Sequence, residues 1–381
     1  MRIWRAKGYY PSAMIRFRGA LLKTSGLPRP YAQSRPLAVV ELELPDPGPG
    51  EVLVKIRAAS LCRSDLSVVT GARPWPLPMV IGHEAAGRVE QIGAGVASVS
   101  PGDDVVLVYL PQCGNCERCR AGQPWLCESG GAANRKGELL TGGTRLVHRG
   151  EKLHHHMGLA AFAEYALVAE VSAIRIAPGV PAQDACVFGC AVLCGAGTAL
   201  NTAAVARGQS VAVIGLGAVG LAAILGAKAA GAARIAAVDR LEAKFALARA
   251  LGATESALPE AAPRRAFDHA IECSGTLEGF ELAMALAHRG GKVTTLGLPG
   301  PEVAHALKLA PLVADGLTVQ GSYLGSCVTR RDVPRFVELY RAGQFPTASL
   351  VSHRIRLEEL NEALDRLAEG RALRQVIEFA S

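Results

Sequence analysis

The sequence predicts a mixed α/β protein of two domains, a β-rich unit wrapped around a doubly wound parallel sheet. Three observations predict it. The chain has 381 residues, more than a single hydrophobic core usually serves. Residues 37 to 110 are rich in alternating or β-branched apolar runs broken by Pro-Gly turns. From residue 192 the texture changes, and apolar strands alternate with Ala-rich helical segments, the pattern of parallel strands joined by crossover helices.

In chain order, "LAVVELELP" and "EVLVKIRAA" read as strands separated by the breaker "PDPGPGE". "GRVEQIGAGVASVSPGDDVVLV" repeats the style as strand, Gly turn, Pro-Gly-Asp turn, strand. Residues 128 to 160 are polar and Gly-rich and read as a long loop before the strand "FAEYALVA". The alternating part contributes "SVAVIGLG", "ARIAAVDR", "DHAIECSG", "GKVTTLGLPG" and "LTVQGSYLG". Two amphipathic helices follow, "RRDVPRFVELYRAGQF" and "RLEELNEALDRLAEG", then a last strand, "QVIEFA". The sequence has no internal repeat and no low-complexity segment.

Composition narrows the function classes. Net charge is +7, but the Lys and Arg residues are spread, with no dense basic block and no aromatic interleaving. That disfavours nucleic acid and suits a small anionic ligand. The N-terminal "MRIWRAKGYYPSAMIRFRGA" is basic without an apolar core, so no secretory signal is expected. Met14 is a candidate start, which would make residues 1 to 13 an upstream extension. The longest apolar run, "GLGAVGLAAILGAKAAGAA", contains Lys228 and several glycines, and reads as a buried helix after a Gly-rich turn, not a membrane span. Ten cysteines without a signal point to metal ligation in a reducing, cytoplasmic setting, not to disulfides.

"VAVIGLGAVGLAA" places Gly215, Gly217 and Gly220 in G-x-G-x-x-G spacing, with Val219 between the last two. Alone the motif is weak. Here it follows an apolar strand and opens a helix, so the glycines allow a tight turn and a pyrophosphate can approach the positive helix N-terminus. The next strand ends at Asp239, placed to bond ribose hydroxyls and repel a 2′-phosphate, which favours NAD over NADP. Arg240 beside it softens that preference.

Two groups of metal-ligating residues stand out. Cys113, Cys116, Cys119 and Cys127 lie within "CGNCERCRAGQPWLC". Four close thiolates suit a closed tetrahedral zinc that contributes to folding and offers no position to substrate. The Pro-bearing run of bacterial ferredoxins is absent, which disfavours an iron–sulfur cluster. The second group is dispersed: Cys62 in "LCRSD", His83 and Glu84 in "IGHEAAG", Cys190 in "FGCAVLCGAG". A Cys2His set leaves a fourth position open, as catalytic zinc requires. On spacing alone, these residues are equally consistent with ordinary core positions.

Over roughly residues 37 to 381 the chain resembles the zinc-dependent medium-chain alcohol dehydrogenases, in particular the liver-type and class III branch. "CRSD", "GHEAAG", the four-cysteine lobe, "GLGAVG", "VD" and "GRALRQVIEF" recur in family order. The resemblance implies a GroES-like catalytic domain, residues 1 to 191 and 324 to 381, around a Rossmann NAD domain, residues 192 to 323. It implies two zinc ions per chain, reversible hydride transfer between an alcohol and NAD, and a homodimer, with a homotetramer as the other family assembly. Cys62, His83 and Cys190 match the catalytic zinc ligands, with Glu84 as an exchangeable carboxylate behind them. Asp65 matches the residue that orients the zinc-bound histidine, and Ser64 the hydroxyl that takes the alcohol proton. Arg63 and Arg374 match pyrophosphate contacts, and Asp239 and Lys244 lie at the adenosine ribose. Tyr109, His156, Met157 and Leu298 match substrate-pocket positions, the two central ones within "HHHMG".

The chain also departs from the family. Ser67 stands where many members carry the histidine that ends the proton relay. His156 replaces a usual aromatic, so a medium-sized, aromatic or allylic primary alcohol is expected ahead of ethanol. Class III enzymes oxidise the glutathione adduct of formaldehyde, gripping its carboxylate with an arginine. Here Gly131 holds that position and Arg73 replaces a frequent acid, so this substrate is disfavoured, with Arg73, Arg135 and Arg145 left as other anion contacts. Cys186, Cys194, Cys273 and Cys327 are read as packing residues, with Cys194 set apart by its place near the hinge and the expected nicotinamide side. The alternatives are a zinc polyol or sugar dehydrogenase and a catalytically silent NAD-binding regulator.

Overall fold

The computed structural model describes residues 14 to 380 apart from 301 and 308, so the proposed upstream extension, residues 1 to 13, lies outside the described residues. Three sheets organise the chain. Two antiparallel-rich sheets are built from residues before 192 and after 323, and the third from strands between Ser210 and Gly321.

The first strand, Ile15–Leu22, pairs antiparallel with Leu37–Leu44 in a six-stranded sheet. It begins in the basic N-terminal stretch, where no strand is expected from the sequence. Its alternation explains it: Phe17 is buried while Arg16 and Arg18 face out, and Arg18 reaches Glu164 at 3.0 Å and Glu358 at 2.7 Å.

The second sheet is centred on Glu51–Leu61, which pairs antiparallel with Ala85–Ile92, Tyr165–Ala169 and the C-terminal Arg374–Glu378. Leu61 is opposite Gln375. This register brings Arg374, near the end of the chain, beside Cys62.

The third sheet is wholly parallel, in the order Glu255–Ala257, Arg234–Val238, Ser210–Ile214, Phe267–Glu272, Ala287–Thr295, Thr318–Gly321. It is a doubly wound dinucleotide-binding sheet. Its two-residue period divides the core. Val211, Val213, Ile235, Ala237 and Ile271 join the larger cluster with Leu221, Ile224 and Leu225 of the helix Ala218–Ala229. Ala212, Ile214, Ala236, Val238 and Ala270 face the helix Leu277–Leu286 through Leu282, Ala283 and Leu286. Burial on both faces is why these strands read as continuous apolar runs.

The stretch read as a loop from 128 to 160 contains a helix, Glu128–Lys136. Its signals are conventional: the Cys127 side chain caps Gly130 N–H, Glu128 opens the first turn, Arg135 and Lys136 close the last, and Gly137 ends it at φ 66°. The expected tail elements are Thr329–Arg341, Leu360–Ala368 and Arg374–Glu378. Among the described residues no single helix is long and apolar enough to cross a membrane.

Candidate active site and metal centres

Cys62, His83 and Cys190 come from three distant segments, yet their donor atoms lie within 4.8 Å of one another and all three are buried. Cys62 ends the strand Glu51–Leu61 and opens the helix Arg63–Val69. His83 follows Gly82, whose φ of 105° and packing against Phe162 leave no room for a Cβ. Cys190 sits between the short helix Cys186–Gly189 and the helix Ala191–Gly197. That second helix packs on the dinucleotide helix through small residues, Gly195 against Val219 and Ala222.

Asp65 is fully buried behind this trio. Its Oδ2 accepts the Cys62 N–H at 2.9 Å, and its Oδ1 lies 2.8 Å from His83 Nδ1. With Nδ1–H donated to the carboxylate, the lone pair of Nε2 is free for a metal. Burial alone would raise the Asp65 pKa, but His83 and His156 outweigh it and hold the carboxyl well below the usual range. Two thiols and an oriented imidazole fit zinc with one position left open.

Glu84 is also buried. Its Oε1 accepts the Ala191 N–H at 2.9 Å, and its Oε2 is 3.0 Å from Arg374 Nε. Burial pushes the Glu84 carboxyl up to about 7, opposed by the Arg374 charge. Arg374 Nη2 lies 4.0 Å from Cys190 Sγ, so this arginine faces the thiolate set as well as the cleft.

A cleft of about 1450 Å³ runs from the trio to the dinucleotide sheet. At the metal end it is lined by Ser64, Ser67, Arg73, Tyr109, Met157, Cys194, Leu298 and Tyr323. Tyr109 stands edge-on to His83 at 5.7 Å and to Tyr323 at 6.1 Å, and its hydroxyl is 3.7 Å from Cys194 Sγ. The pocket expectation therefore needs one correction. Tyr109, Met157 and Leu298 line the cleft, whereas His156 does not: it is fully buried, with Nδ1 3.3 Å from Asp65 Oδ1. The polar ring turns to the Gly82 N–H, which donates to Nδ1 at 3.2 Å beside the buried Asp65, because an apolar wall would leave that nitrogen without a partner. Tyr323 went unrecognised in the sequence, and only its place after an apolar strand hinted at it. Cys194, read as packing, lines the cleft one helical turn after Cys190.

At the other end the cleft is lined by Gly215, Gly217 and Val219, and Gly220 packs against the Gly215 carbonyl. Asp239 accepts Leu216 N–H at 2.7 Å and Leu241 N–H at 3.0 Å, and pairs with Lys244 at 3.0 Å. It thus braces the Gly-rich turn while facing the cleft. Arg63 is exposed on the cleft wall, its Nη1 3.4 Å from the Leu367 carbonyl. Arg240 lines the cleft beside Asp239. Gly131, by contrast, does not line it, and neither do Arg135 and Arg145; Arg145 pairs with the buried Glu51 at 2.7 Å.

Cys113, Cys116, Cys119 and Cys127 form a separate group whose sulfurs lie within 4.8 Å of one another. The Cys113–Cys119 and Cys116–Cys127 separations are 3.9 and 4.0 Å. A tetrahedron of sulfurs about 2.3 Å from a central zinc has edges of about 3.8 Å. Backbone N–H groups of Cys113, Cys116 and Gly130 point at sulfur, each at 3.3 Å, an arrangement that favours thiolates. The donors fit a structural zinc.

The family model of the alcohol dehydrogenase GroES-like domain matches residues 48–178, and that of the zinc-binding dehydrogenases matches residues 218–342. The chain is 38% identical over 362 residues to alcohol dehydrogenase class-3 of Myxine glutinosa, covering 92% of this chain and 96% of that protein. It is also 38% identical over 362 residues to S-(hydroxymethyl)glutathione dehydrogenase of Escherichia coli O1:K1, covering 92% and 98%. The crystal structure of benzyl alcohol dehydrogenase from Acinetobacter calcoaceticus superposes with a TM-score of 0.88 at 30% identity, over 96% of this chain and 100% of that one. The matched regions include both cysteine–histidine groups except Cys190, which falls between them, and the relatives are spanned almost end to end; the chain belongs to the zinc-containing medium-chain alcohol dehydrogenases, on their class III-like side, and is an NAD-dependent oxidoreductase of alcohols.

Proposed function

We propose that this enzyme interconverts a primary alcohol of aromatic or allylic character and its aldehyde, with Cys62, His83 and Cys190 holding the catalytic zinc. The observation that carries the substrate class is the pair of tyrosines, Tyr109 beside His83 and Tyr323 6.1 Å from Tyr109. With Met157 and Leu298 they give the metal end of the cleft a wall suited to a flat, apolar body.

Zinc supplies Lewis acidity in such a site, and NAD supplies the hydride acceptor. The chain's own groups do the rest. Asp65 fixes the tautomer and direction of His83. Ser64, next to Cys62 and on the cleft wall, takes the hydroxyl proton, and Ser67, also on the wall, passes it toward solvent. Its Oγ donates to the Arg63 carbonyl at 3.0 Å, which fixes its orientation. The tyrosine rings exclude water from the reacting carbon. Arg63 and Arg374 hold the pyrophosphate, and Asp239 with Lys244 the ribose. The domain division behind this reading is 1 to 191 with 324 to 381, around 192 to 323. A homodimer is supported by exposed Val303, Leu309 and Val313 just before Thr318–Gly321, the edge strand of the parallel sheet.

One observation favours a second substrate. Arg73 lines the metal end of the cleft, and among the described residues no acid lies within ion-pair distance of it. A carboxylate-bearing alcohol, such as the glutathione adduct of formaldehyde, would give it a partner.

The test is NADH formation with ethanol, hexanol, geraniol, benzyl alcohol, a secondary alcohol, sorbitol and S-hydroxymethylglutathione, with Cys62→Ala as control. Highest kcat/KM on benzyl alcohol or geraniol, abolished in the variant, supports the proposal. Preference for the glutathione adduct moves the assignment to the second reading, and turnover on none returns the silent regulator.

A further inference from the structure

Asp65 serves more groups than an orienting carboxylate needs to. Its Oδ2 takes the Cys62 N–H, and its Oδ1 lies 2.8 Å from His83 Nδ1 and 3.3 Å from His156 Nδ1. All of these side chains are buried. The same His156 Nδ1 accepts the N–H of Gly82 at 3.2 Å. Gly82 immediately precedes His83. His156 therefore touches both the carboxylate that orients His83 and the peptide that carries it, and its ring meets His83 edge-on at 5.3 Å.

The residue on its other flank faces substrate. Met157 lines the cleft in a left-handed conformation, φ 50° and ψ 38°. A non-glycine residue keeps that conformation only where its surroundings enforce it. His156, anchored by the Gly82 N–H and set against Asp65, is the adjoining restraint.

Packing alone does not account for this histidine. Its Nε2 is buried without a hydrogen-bond partner, and its Nδ1 faces a donor and an acceptor that it cannot satisfy together. An apolar ring of similar size would leave no ring nitrogen stranded, but it would take away the acceptor of the Gly82 N–H. A residue that breaks a local rule of stability directly behind the wall of an active site points to a role in that site.

We propose that His156 is a positioning residue that ties the Met157 wall of the substrate cleft to the Gly82 peptide beside Asp65, and so couples the shape of that wall to the seating of His83 on zinc. This rests on the reading of Cys62, His83 and Cys190 as the catalytic zinc site.

The test compares the zinc-loaded wild type with His156→Phe and His156→Asn. Asparagine keeps an acceptor near the Nδ1 position and phenylalanine does not. The readouts are thermal midpoint, zinc transfer to a chelator, the visible spectrum after cobalt replaces the catalytic zinc, and KM against kcat. His156→Phe is expected to change the midpoint little, because it removes the stranded Nε2 and leaves the Gly82 N–H without its acceptor. It should release the cleft zinc about tenfold faster, within the range seen when a ligand's orienting partner is lost, alter the cobalt spectrum and raise the alcohol KM several-fold. His156→Asn should restore most of the zinc retention and the spectrum. The proposal is overturned if His156→Phe matches wild type in zinc release, spectrum and KM, or if both variants lose stability alike without a spectral change. Wild type holding only the four-cysteine zinc, unaffected by Cys62→Ala, would overturn the zinc-site reading itself, and the proposal with it.

Discussion

Glu84 Oε2 lies 3.0 Å from Arg374 Nε, yet the two are not aligned as a hydrogen bond, and neither atom has another partner in its buried site. Position, not a directed bond, holds the pair together: Glu84 leads into Ala85–Ile92 and Arg374 opens Arg374–Glu378, and both strands flank Glu51–Leu61 in one sheet. Removing one member strands the other charge, which in buried pairs costs about 3–5 kcal/mol. Arg374→Ala is therefore expected to lose stability on that scale in urea titrations and to raise the KM for NAD. The double variant Glu84→Gln/Arg374→Met should recover much of the stability. Additive losses would show that the pair is not coupled.

Asp239 does two tasks at once, bracing Leu216 N–H in the Gly-rich turn and presenting negative charge to the cleft beside Arg240. Asp239→Ser should raise the ratio of NADP to NAD kcat/KM by about tenfold or more, roughly 1.4 kcal/mol of discrimination. Steady-state kinetics with both cofactors checks this, and an unchanged ratio would remove Asp239 from cofactor selection.

The four-cysteine lobe is separate from the cleft. Cys116→Ser should reduce bound metal from about two zinc ions per chain to about one, measured by elemental analysis after gel filtration. The thermal midpoint should fall, because the lobe's zinc contributes folding energy. Retention of both ions would contradict a closed site of four thiolates.

On the parallel sheet, His288 Nε2 lies 3.1 Å from Asp268 Oδ1, while Asp268 Oδ2 accepts the Ser210 N–H at 2.8 Å and its hydroxyl at 2.6 Å. Burial works against the charge on each, but the partners win: His288 is raised, and Asp268 is lowered to about 2. For the raised histidine, the stabilisation is complete below its ordinary value of about 6.5 and fades as pH rises through the folded value. For the depressed aspartate it is complete above about 3.9 and fades toward pH 2. Wild type should thus exceed His288→Ala in thermal midpoint at pH 6 by more than at pH 9. Calorimetry at the two values checks the sign, and a constant difference would argue that the pair carries no linkage.

Much of the protein is legible locally. The strand, Gly-rich turn, helix and Asp239 report the dinucleotide fold because each signal lies within a few turns of the next. The helix Glu128–Lys136 carried its cap, charges and closing glycine in plain order, but was hidden by a glycine-rich composition that suggested loop. The strand Ile15–Leu22 was hidden by arginines that are its solvent face.

The sequence by itself determined the doubly wound sheet and the four-cysteine zinc lobe, because both are specified by residues close together along the chain. The gathering of Cys62, His83 and Cys190, the pairing of Glu84 with Arg374 and the walls made by Tyr109 and Tyr323 were decided by the tertiary structure. They depend on the register between Glu51–Leu61 and Arg374–Glu378 and on the approach of the dinucleotide sheet, relations that no local pattern encodes. His156 shows the difference most plainly. Its place in "HHHMG" suggested a pocket wall, but the ring is buried behind that wall with Nδ1 at the Gly82 N–H and beside Asp65, since a buried imidazole follows a polar partner, not its position in a motif.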